Sequence, residues 1–532
     1  MKKSKIIGLS LGLIAATAIS ISIPLIVTSC SSSINDGQII NDSLRQTFSD
    51  FLSQNHGRWA GNASKYGIEN LVKADIQYTP TSNNSNNTSY DVYTGIKSNS
   101  QPKYNLETQI DKNINNYGSY HSYLWIVNEL KSFGFDKFNE KELTYPAAAT
   151  IDVKTDSITP SLSSNTVWGK AVNEQNTTIN DQSIILNSTS NNANFLKENG
   201  SILVQSFLWN GRDRASGINY TYNNEAQNII ATISPDNATK DFYIVAHYDS
   251  TATGKNKASW GATDNATGVS IALAVAEYFI QNKQDLGDVR LHVIFSDAEE
   301  VGVYGTKAFV SEFMLNSKAL DPAQAVGMIN LDTVAGGDYI YAHSPNTSSS
   351  LGSVFGNTDK TIRDQLNALS RIRAENLNDS SLELLIHPQV DMEEYRPGET
   401  GDWSDHMPFY KYVNIPVAYM ESTNFQIKSN SGLYDGYSQT TNLNAYILND
   451  GTSLADKNIT LKKTSIKNSD LTVYDLPSMN GYNDYNDYEV TGNIWHYDID
   501  TLDWVNKYIG YELYKQLTTM FESLKLFLKT SI

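Results

Sequence analysis

A chain of 532 residues that is 40% hydrophobic and 18% charged has enough apolar residues to bury a large core, which excludes a disordered polymer. Its 40 Lys+Arg against 58 Asp+Glu leave a net charge of -18, which repels phosphate backbones and anionic headgroups and excludes nucleic acid as a partner. A single cysteine, Cys30, rules out an intramolecular disulfide, so stability must come from packing and metal.

At the start of the chain, Lys2, Lys3 and Lys5 precede an uncharged, largely apolar run over 6–27, the layout of an export signal. The run ends in Val27-Thr28-Ser29-Cys30, which resembles the lipobox of bacterial lipoproteins. That resemblance implies a signal peptide over 1–29, acylation of Cys30 and a lipid anchor that holds the protein on the outer face of the cell membrane. An uncleaved spanning helix is the alternative, because about 20 apolar residues cross a bilayer. Residues 30–103 read as a Ser/Asn-rich tether and N-terminal extension, with a helical stretch at 43–52 and a linker-like run at 79–103.

The main domain is expected over 104–532. Tyr123, Ile126, Val127, Leu130 and Phe133 lie at helical spacing, and Gly134 stops the helix. Residues 145–235 carry short alternating apolar runs, read as strands and hairpins, ending in a strand at 228–233. Strand and helix then alternate: a strand at 242–246, a helix at 268–280 that is apolar on nearly all sides, and strands at 289–295 and 325–331. This pattern predicts an α/β fold with a mostly parallel central sheet flanked by helices on both faces. In such folds ligands sit beyond the carboxyl ends of the strands. Residues 423–490, rich in Asn, Asp and Tyr, read as an insertion that either caps a substrate or forms a solvated loop. An amphipathic helix closes the chain.

Each predicted strand ends in metal-binding residue types. The first runs into His247-Tyr248-Asp249, the second into Asp297-Ala298-Glu299-Glu300 and the third into Asn330-Leu331-Asp332, while Asp264-Asn265 sits just before the apolar helix. A single acid at a strand end is unremarkable, but ends of one parallel sheet converge on one rim. Zinc favours imidazole nitrogen and carboxylate oxygen, and a two-oxygen carboxylate such as Asp264 can bridge two ions. Asp249 is placed to accept a hydrogen bond from the far nitrogen of His247. Neighbouring Glu299 and Glu300 face different ways, so one can bind metal while the other faces water.

The strings His247-Tyr248-Asp249-Ser250, Asp264-Asn265-Ala266-Thr267-Gly268, Glu299-Glu300-Val301-Gly302-Val303-Tyr304-Gly305 and Asn330-Leu331-Asp332 resemble the co-catalytic zinc exopeptidases, which include secreted aminopeptidases and glutamate carboxypeptidase II. The resemblance covers roughly 118–532. It implies two Zn2+ ions: His247 and Asp332 on one, Glu300 and a late histidine on the other, Asp264 bridging through a cis peptide to Asn265, and Glu299 as general base with Asp249 beside it. The late histidine is expected to be His496, in Trp495-His496-Tyr497-Asp498-Ile499-Asp500-Thr501, because the family's ligand precedes an Asp-Thr pair. Asp405 and His406, in Ser404-Asp405-His406, are expected to support the site or touch substrate. His56, His121, His292, His343 and His387 have no partner motif and are read as ordinary histidines. Some relatives carry a Tyr before the late His to polarise the scissile carbonyl; here Trp495 stands there, which leaves that role unassigned.

These readings together predict an aminopeptidase-type metallopeptidase acting on peptide substrates. Two alternatives are a glutaminyl cyclase-like acyltransferase, which shares the fold and often a Trp before its late His, and an inactive surface binding lipoprotein.

Overall fold

The computed structural model describes residues 39–55, 58, 60, 119–141, 167–186, 194–212, 219–251, 260–345, 355–387, 401–428, 437–465, 472–476 and 487–532. The export-signal segment, Cys30, the linker-like run at 79–103 and His56 lie outside the described residues. Among the described residues, no helix is long and apolar enough to cross a membrane.

The centre of the molecule is a sheet in which β6 (Lys240–His247) lies between β7 (Val289–Ser296) and β8 (Ala325–Leu331), all three parallel. Side chains alternate across such strands. Phe242, Ile244 and Ala246 therefore enter the core on one face, while Tyr243 and Val245 enter the core on the other. Both faces are covered, which is why these strands read as unbroken apolar runs.

The sheet extends on both sides of this triplet. Beyond β8 lie β11 (Val417–Thr423), β9 (Tyr339–His343) and β10 (Leu385–Ile386). Beyond β7, β5 (Asn219–Ile233), β4 (Ser201–Arg212), β3 (Thr178–Leu186) and β2 (Val167–Val172) follow as an antiparallel meander, with β1 (Lys137–Lys141) pairing parallel to β4. The α/β architecture is the expected one. The sheet is mixed: β6, β7, β8 and β11 pair parallel with one another, as do β9 with β10 and β1 with β4, while the strands over 167–233 pair antiparallel along the meander.

One face is packed by α1 (Asp42–Gln54), α2 (Ser119–Ser132), α3 (Thr267–Gln281) and the C-terminal helix α8 (Tyr511–Thr530). Helix α1 starts where Asn41 accepts a hydrogen bond from the Leu44 amide, and it buries Leu44, Phe48, Phe51 and Leu52, one stripe at helical spacing. The Asn41 amide also donates to Thr518 Oγ1 (2.9 Å), tying α1 to α8. The N-terminal extension thus joins the core through α1 instead of serving only as a tether. The other face is packed by Phe309, Val310, Phe313 and Met314, together with Met407, Phe409 and Tyr410.

The segment expected to be an insertion carries a small core. Tyr446–Leu448 pairs antiparallel with Tyr488–Thr491, and Tyr446, Leu448, Leu454, Leu461 and Tyr488 cluster together. It is fastened to the main sheet through Asp338, whose carboxylate receives Thr440 Oγ1 (2.7 Å) and Asn424 Nδ2 (2.6 Å).

Candidate active site

The register of the central strands sets the site. Val245 pairs with both Ile294 and Asn330, so the carboxyl ends of β6, β7 and β8 stop at one level. The next residues out are His247, the Asp297–Glu300 turn and Asp332. Helix α3 brings the fourth string into line, starting against the end of β8: a Cβ on Gly268 would meet Leu331 O and Asn265 Oδ1, each at 2.5 Å, so no larger residue fits. Asn265 fastens the two loops, accepting from the amides of Gly268 (3.0 Å) and Thr333 (3.2 Å) and donating to Leu331 O (2.7 Å). The Asp264–Asn265 peptide is cis.

Asp264 lies at the middle of the cluster, and its two oxygens face different neighbours. On one side, His247 Nε2 is 3.2 Å from Asp264 Oδ1 and 3.3 Å from Asp332 Oδ1. On the other, His496 Nε2 is 2.9 Å from Asp264 Oδ2 and 3.0 Å from Glu300 Oε2. Donor atoms of His247, Asp264 and Glu300 all lie within 4.8 Å of one another, so the two sides form one continuous cluster.

The chemistry of this donor set fits a cation. His247 Nδ1 lies 3.2 Å from the Asp249 carbonyl, which can only accept, so in a neutral ring the proton sits on Nδ1 and the Nε2 lone pair faces two carboxylate oxygens. Acceptors facing acceptors in a buried place require a proton or a metal between them. Asp264 Oδ1 is buried and accepts no hydrogen bond. Burial works against a charged His247, yet Asp249, Asp264 and Asp332 raise its pKa well above the ordinary value. Burial also lifts Glu300 to about 7, against the opposing pull of His496. For Asp264 the balance reverses: burial alone would raise it, but the two imidazoles hold it far below the usual carboxylate range.

The Asp249 carboxylate stands 3.6 Å from His247 Nδ1, farther than its own carbonyl, and it also accepts from the amides of Glu299 (3.1 Å) and Glu300 (3.2 Å). One buried acid thus fixes the turn that aims both glutamates. Several residues of this rim hold left-handed backbone: Ala298 and Val303 at φ 59°, Thr333 at φ 51° and His496 at φ 62°. Each costs on the order of 1–3 kcal/mol, which surrounding packing must offset.

Glu299 lines the same cavity, of about 430 Å³, as His247, Asp264, Glu300, Asp332 and His496. Burial pushes its pKa well above the ordinary value, with His247 opposing and Asp332, Asp405 and Glu300 adding to the rise. Among the described residues its carboxylate has no ion pair, which leaves it available to the cavity.

Residues 228–505 match the sequence pattern of Peptidase family M28, and that span holds all four motifs and both late histidines. The chain belongs to peptidase family M28. Curated relatives of this M28 chain include the vacuolar membrane protease of Schizosaccharomyces japonicus, 36% identical over 86 residues, which are 16% of this chain and 9% of that protein. The protease of the same name from Schizosaccharomyces pombe is 29% identical over 140 residues, 25% of this chain and 15% of that one. The M28 chain therefore matches only a small part of the length of these relatives. Among solved structures, a zinc aminopeptidase from Bacillus subtilis is 18% identical, with 58% of this chain and 50% of that chain covered and a TM-score of 0.31.

The Ser404-Asp405-His406 segment of the M28 chain supports the site from behind. Ser404 Oγ donates to Asp332 Oδ2 (2.7 Å) and accepts from Asn330 Nδ2 (2.7 Å). Asp405 accepts from Ser296 Oγ (2.5 Å) and Thr306 Oγ1 (2.7 Å), and His406 Nε2 donates to Gly401 O (2.8 Å). Neither Asp405 nor His406 is among the residues that line the cavity. Of the other described histidines, His121, His292, His343 and His387, none lines the cavity: His292 pairs with Asp241 (3.0 Å), His343 with Glu421 (2.9 Å), and His387 packs on Phe425.

Two supports escaped the sequence reading. Asp500 receives the amides of Thr263 (2.6 Å) and Asp264 (3.3 Å), fixing Asp264 from the loop that also carries His496. Arg58, from just beyond α1, is fully buried and donates to the carbonyls of Tyr248 (2.7 Å), Trp260 and Gly261 (2.9 Å). It clasps the chain after His247 to the chain before Asp264. Burial pulls its pKa to about 10 against the attraction of Asp500, Asp264, Asp249 and Glu300. The Asp-Thr pair pointed to Asp500; nothing in the local sequence marks Arg58.

Proposed function

We propose that this M28 chain is a zinc-dependent exopeptidase of the aminopeptidase type, with two zinc ions held by His247, Asp264, Glu300, Asp332 and His496. The observation that carries the reading is the division of Asp264: Oδ1 faces His247, Oδ2 faces His496, and Glu299 lines the same cavity without an ion pair among the described residues. Zinc held there supplies Lewis-acid chemistry, polarising a carbonyl and acidifying water so that it loses a proton near neutral pH. Glu299 accepts that proton at its carboxylate and delivers it to the leaving amine. Asp249 keeps the Glu299 and Glu300 backbone fixed while this happens. Tyr437 and Trp495, ring centroids 5.0 Å apart, wall the cavity on the insertion side and help exclude water.

The N-terminal layout and the name of the curated relatives support a membrane-associated protein, held by an acylated Cys30 and working on peptides at the outer face. Cys30→Ala then moves the protein from the detergent to the aqueous phase; continued partition into detergent would count against the acyl anchor.

The neighbouring glutamates give the test of the chemistry. Glu299→Gln keeps zinc at wild-type content while hydrolysis of amino-acid p-nitroanilides falls by about 10²–10⁴-fold. Glu300→Gln loses zinc first, and excess metal restores part of the rate. The opposite pattern reverses the two roles. A zinc-loaded wild-type protein that cyclises N-terminal glutamine without hydrolysing anilides would instead support the acyltransferase reading, which Trp495 beside His496 favours.

A further inference from the structure

The cavity is lined by five carboxylates, two imidazoles and one ammonium, that of Lys307. Lys307 rises from the short helix Tyr304–Phe309, directly after the turn that carries Glu299 and Glu300. Its Nζ donates to Gly302 O (2.8 Å) and stands 5.4 Å from the centre of the Tyr304 ring. An ammonium has three donors, and Gly302 uses one. Among the described residues no carboxylate lies within ion-pair distance of it, whereas Lys240, Lys283, Lys411, Lys515, Lys525 and Lys529 each have an acidic partner. Asp402, another acid of the cavity wall, is engaged by Lys411 and Tyr410. Burial lowers the Lys307 pKa, and the attraction of Asp181, Glu299 and Asp402 offsets this only in part.

A charge partly withdrawn from water with no carboxylate in contact is costly, and proteins ordinarily pair it. Here the open side is the substrate cavity. The anion that peptides carry is a carboxylate, at the C-terminus or on an Asp or Glu side chain. Building on the exopeptidase reading, we propose that Lys307 binds a substrate carboxylate, so that this enzyme selects short peptides that present one within reach of the metal cluster.

The test compares pairs of substrates that differ only in that charge, using the zinc-loaded full chain. Leu-Gly against Leu-Gly-amide reads a C-terminal carboxylate, and Glu-p-nitroanilide against Leu-p-nitroanilide reads an N-terminal acidic side chain. In one pair wild type favours the charged member in kcat/KM, by about 10- to 100-fold for a charge-assisted hydrogen bond. Lys307→Met collapses that ratio towards one, chiefly through KM, and Lys307→Arg retains most of it. A role limited to bracing the Gly302 turn lowers both members of a pair equally, so an unchanged ratio in Lys307→Met overturns the proposal. A wild type without preference in either pair overturns it too, whatever the variants do. Failure to hydrolyse any of the four substrates removes the exopeptidase reading itself, and the role of Lys307 falls with it.

Discussion

The two sides of the Asp264 cluster are built from different kinds of structure. His247 and Asp332 stand at the ends of adjacent parallel strands whose register is fixed over several residues, and His247 is almost wholly buried. Across the carboxylate, Glu300 comes from a turn and His496 from a loop with left-handed backbone, beside an insertion that folds on a small core of its own. His496 is also the more exposed imidazole, at 13% of its side chain against 1% for His247. The first side is positioned by the sheet; the second depends on contacts that reach in from elsewhere, chiefly Asp500 and Asp249. On the proposed two-zinc reading, an ion beside His247 would be held by the framework and an ion beside His496 would be the easier to remove.

The largest effect expected from perturbing this arrangement is at Arg58. Arg58→Met removes the clasp between the His247 and Asp264 loops and leaves three carbonyls and several buried acids without a cation, an uncompensated loss on the order of 3–5 kcal/mol. Chemical denaturation of the chelated protein measures it. A loss below about 1 kcal/mol would show that the framework side stands without the N-terminal segment.

A second test uses pH with and without metal. Burial raises Glu300 and Asp500 to about 7, and burial with Asp249 raises Asp297 to about 8. An acid raised in the folded state is more readily ionised once unfolded, so stability is lost as pH climbs from the ordinary carboxylate range through those values. His496 adds a loss of the same sign above pH 6.5, because its neighbours Glu300 and Asp264 overcome burial and hold it up to about 10. The chelated chain should therefore melt at progressively lower temperature from pH 5 to 8, while zinc, which takes the place of the protons, flattens the curve. Parallel curves would mean that metal does not bind among these acids.

How much of this was legible in the sequence follows the same division. Strand ends could be read because apolar runs stop abruptly at His247, Asp297 and Asp332, and a parallel sheet must bring such ends together. His496 was legible only through its resemblance to a family motif. The antiparallel half of the sheet was hidden in Ser-, Thr- and Asn-rich sequence whose alternation suggests strands but not their order. Arg58 carried no signal at all, since a lone arginine beyond a helix reads as solvated and only the fold brings it against the carbonyls of Tyr248, Trp260 and Gly261. Ser404 was visible in its motif, but its bond to Asp332 was not.

That bond gives the smallest predicted effect. Ser404→Ala removes one hydrogen bond to Asp332, and loss of such an outer partner weakens metal affinity by about 10- to 100-fold. Competition with a zinc chelator reads it directly, and the loss should fall on the more tightly held ion.

The most direct test is the zinc content of the purified chain and two variants, by mass spectrometry of the native protein. The account predicts about two ions in wild type and about one in His496→Ala, with the ion beside His247 retained, since a catalytic zinc site needs three protein ligands and only one side loses a ligand. Asp264→Asn, which takes the negative charge from both sides at once, should bind less than either. A wild type that binds a single ion, or an Asp264→Asn that still holds two, would contradict the shared bridging carboxylate on which the account rests.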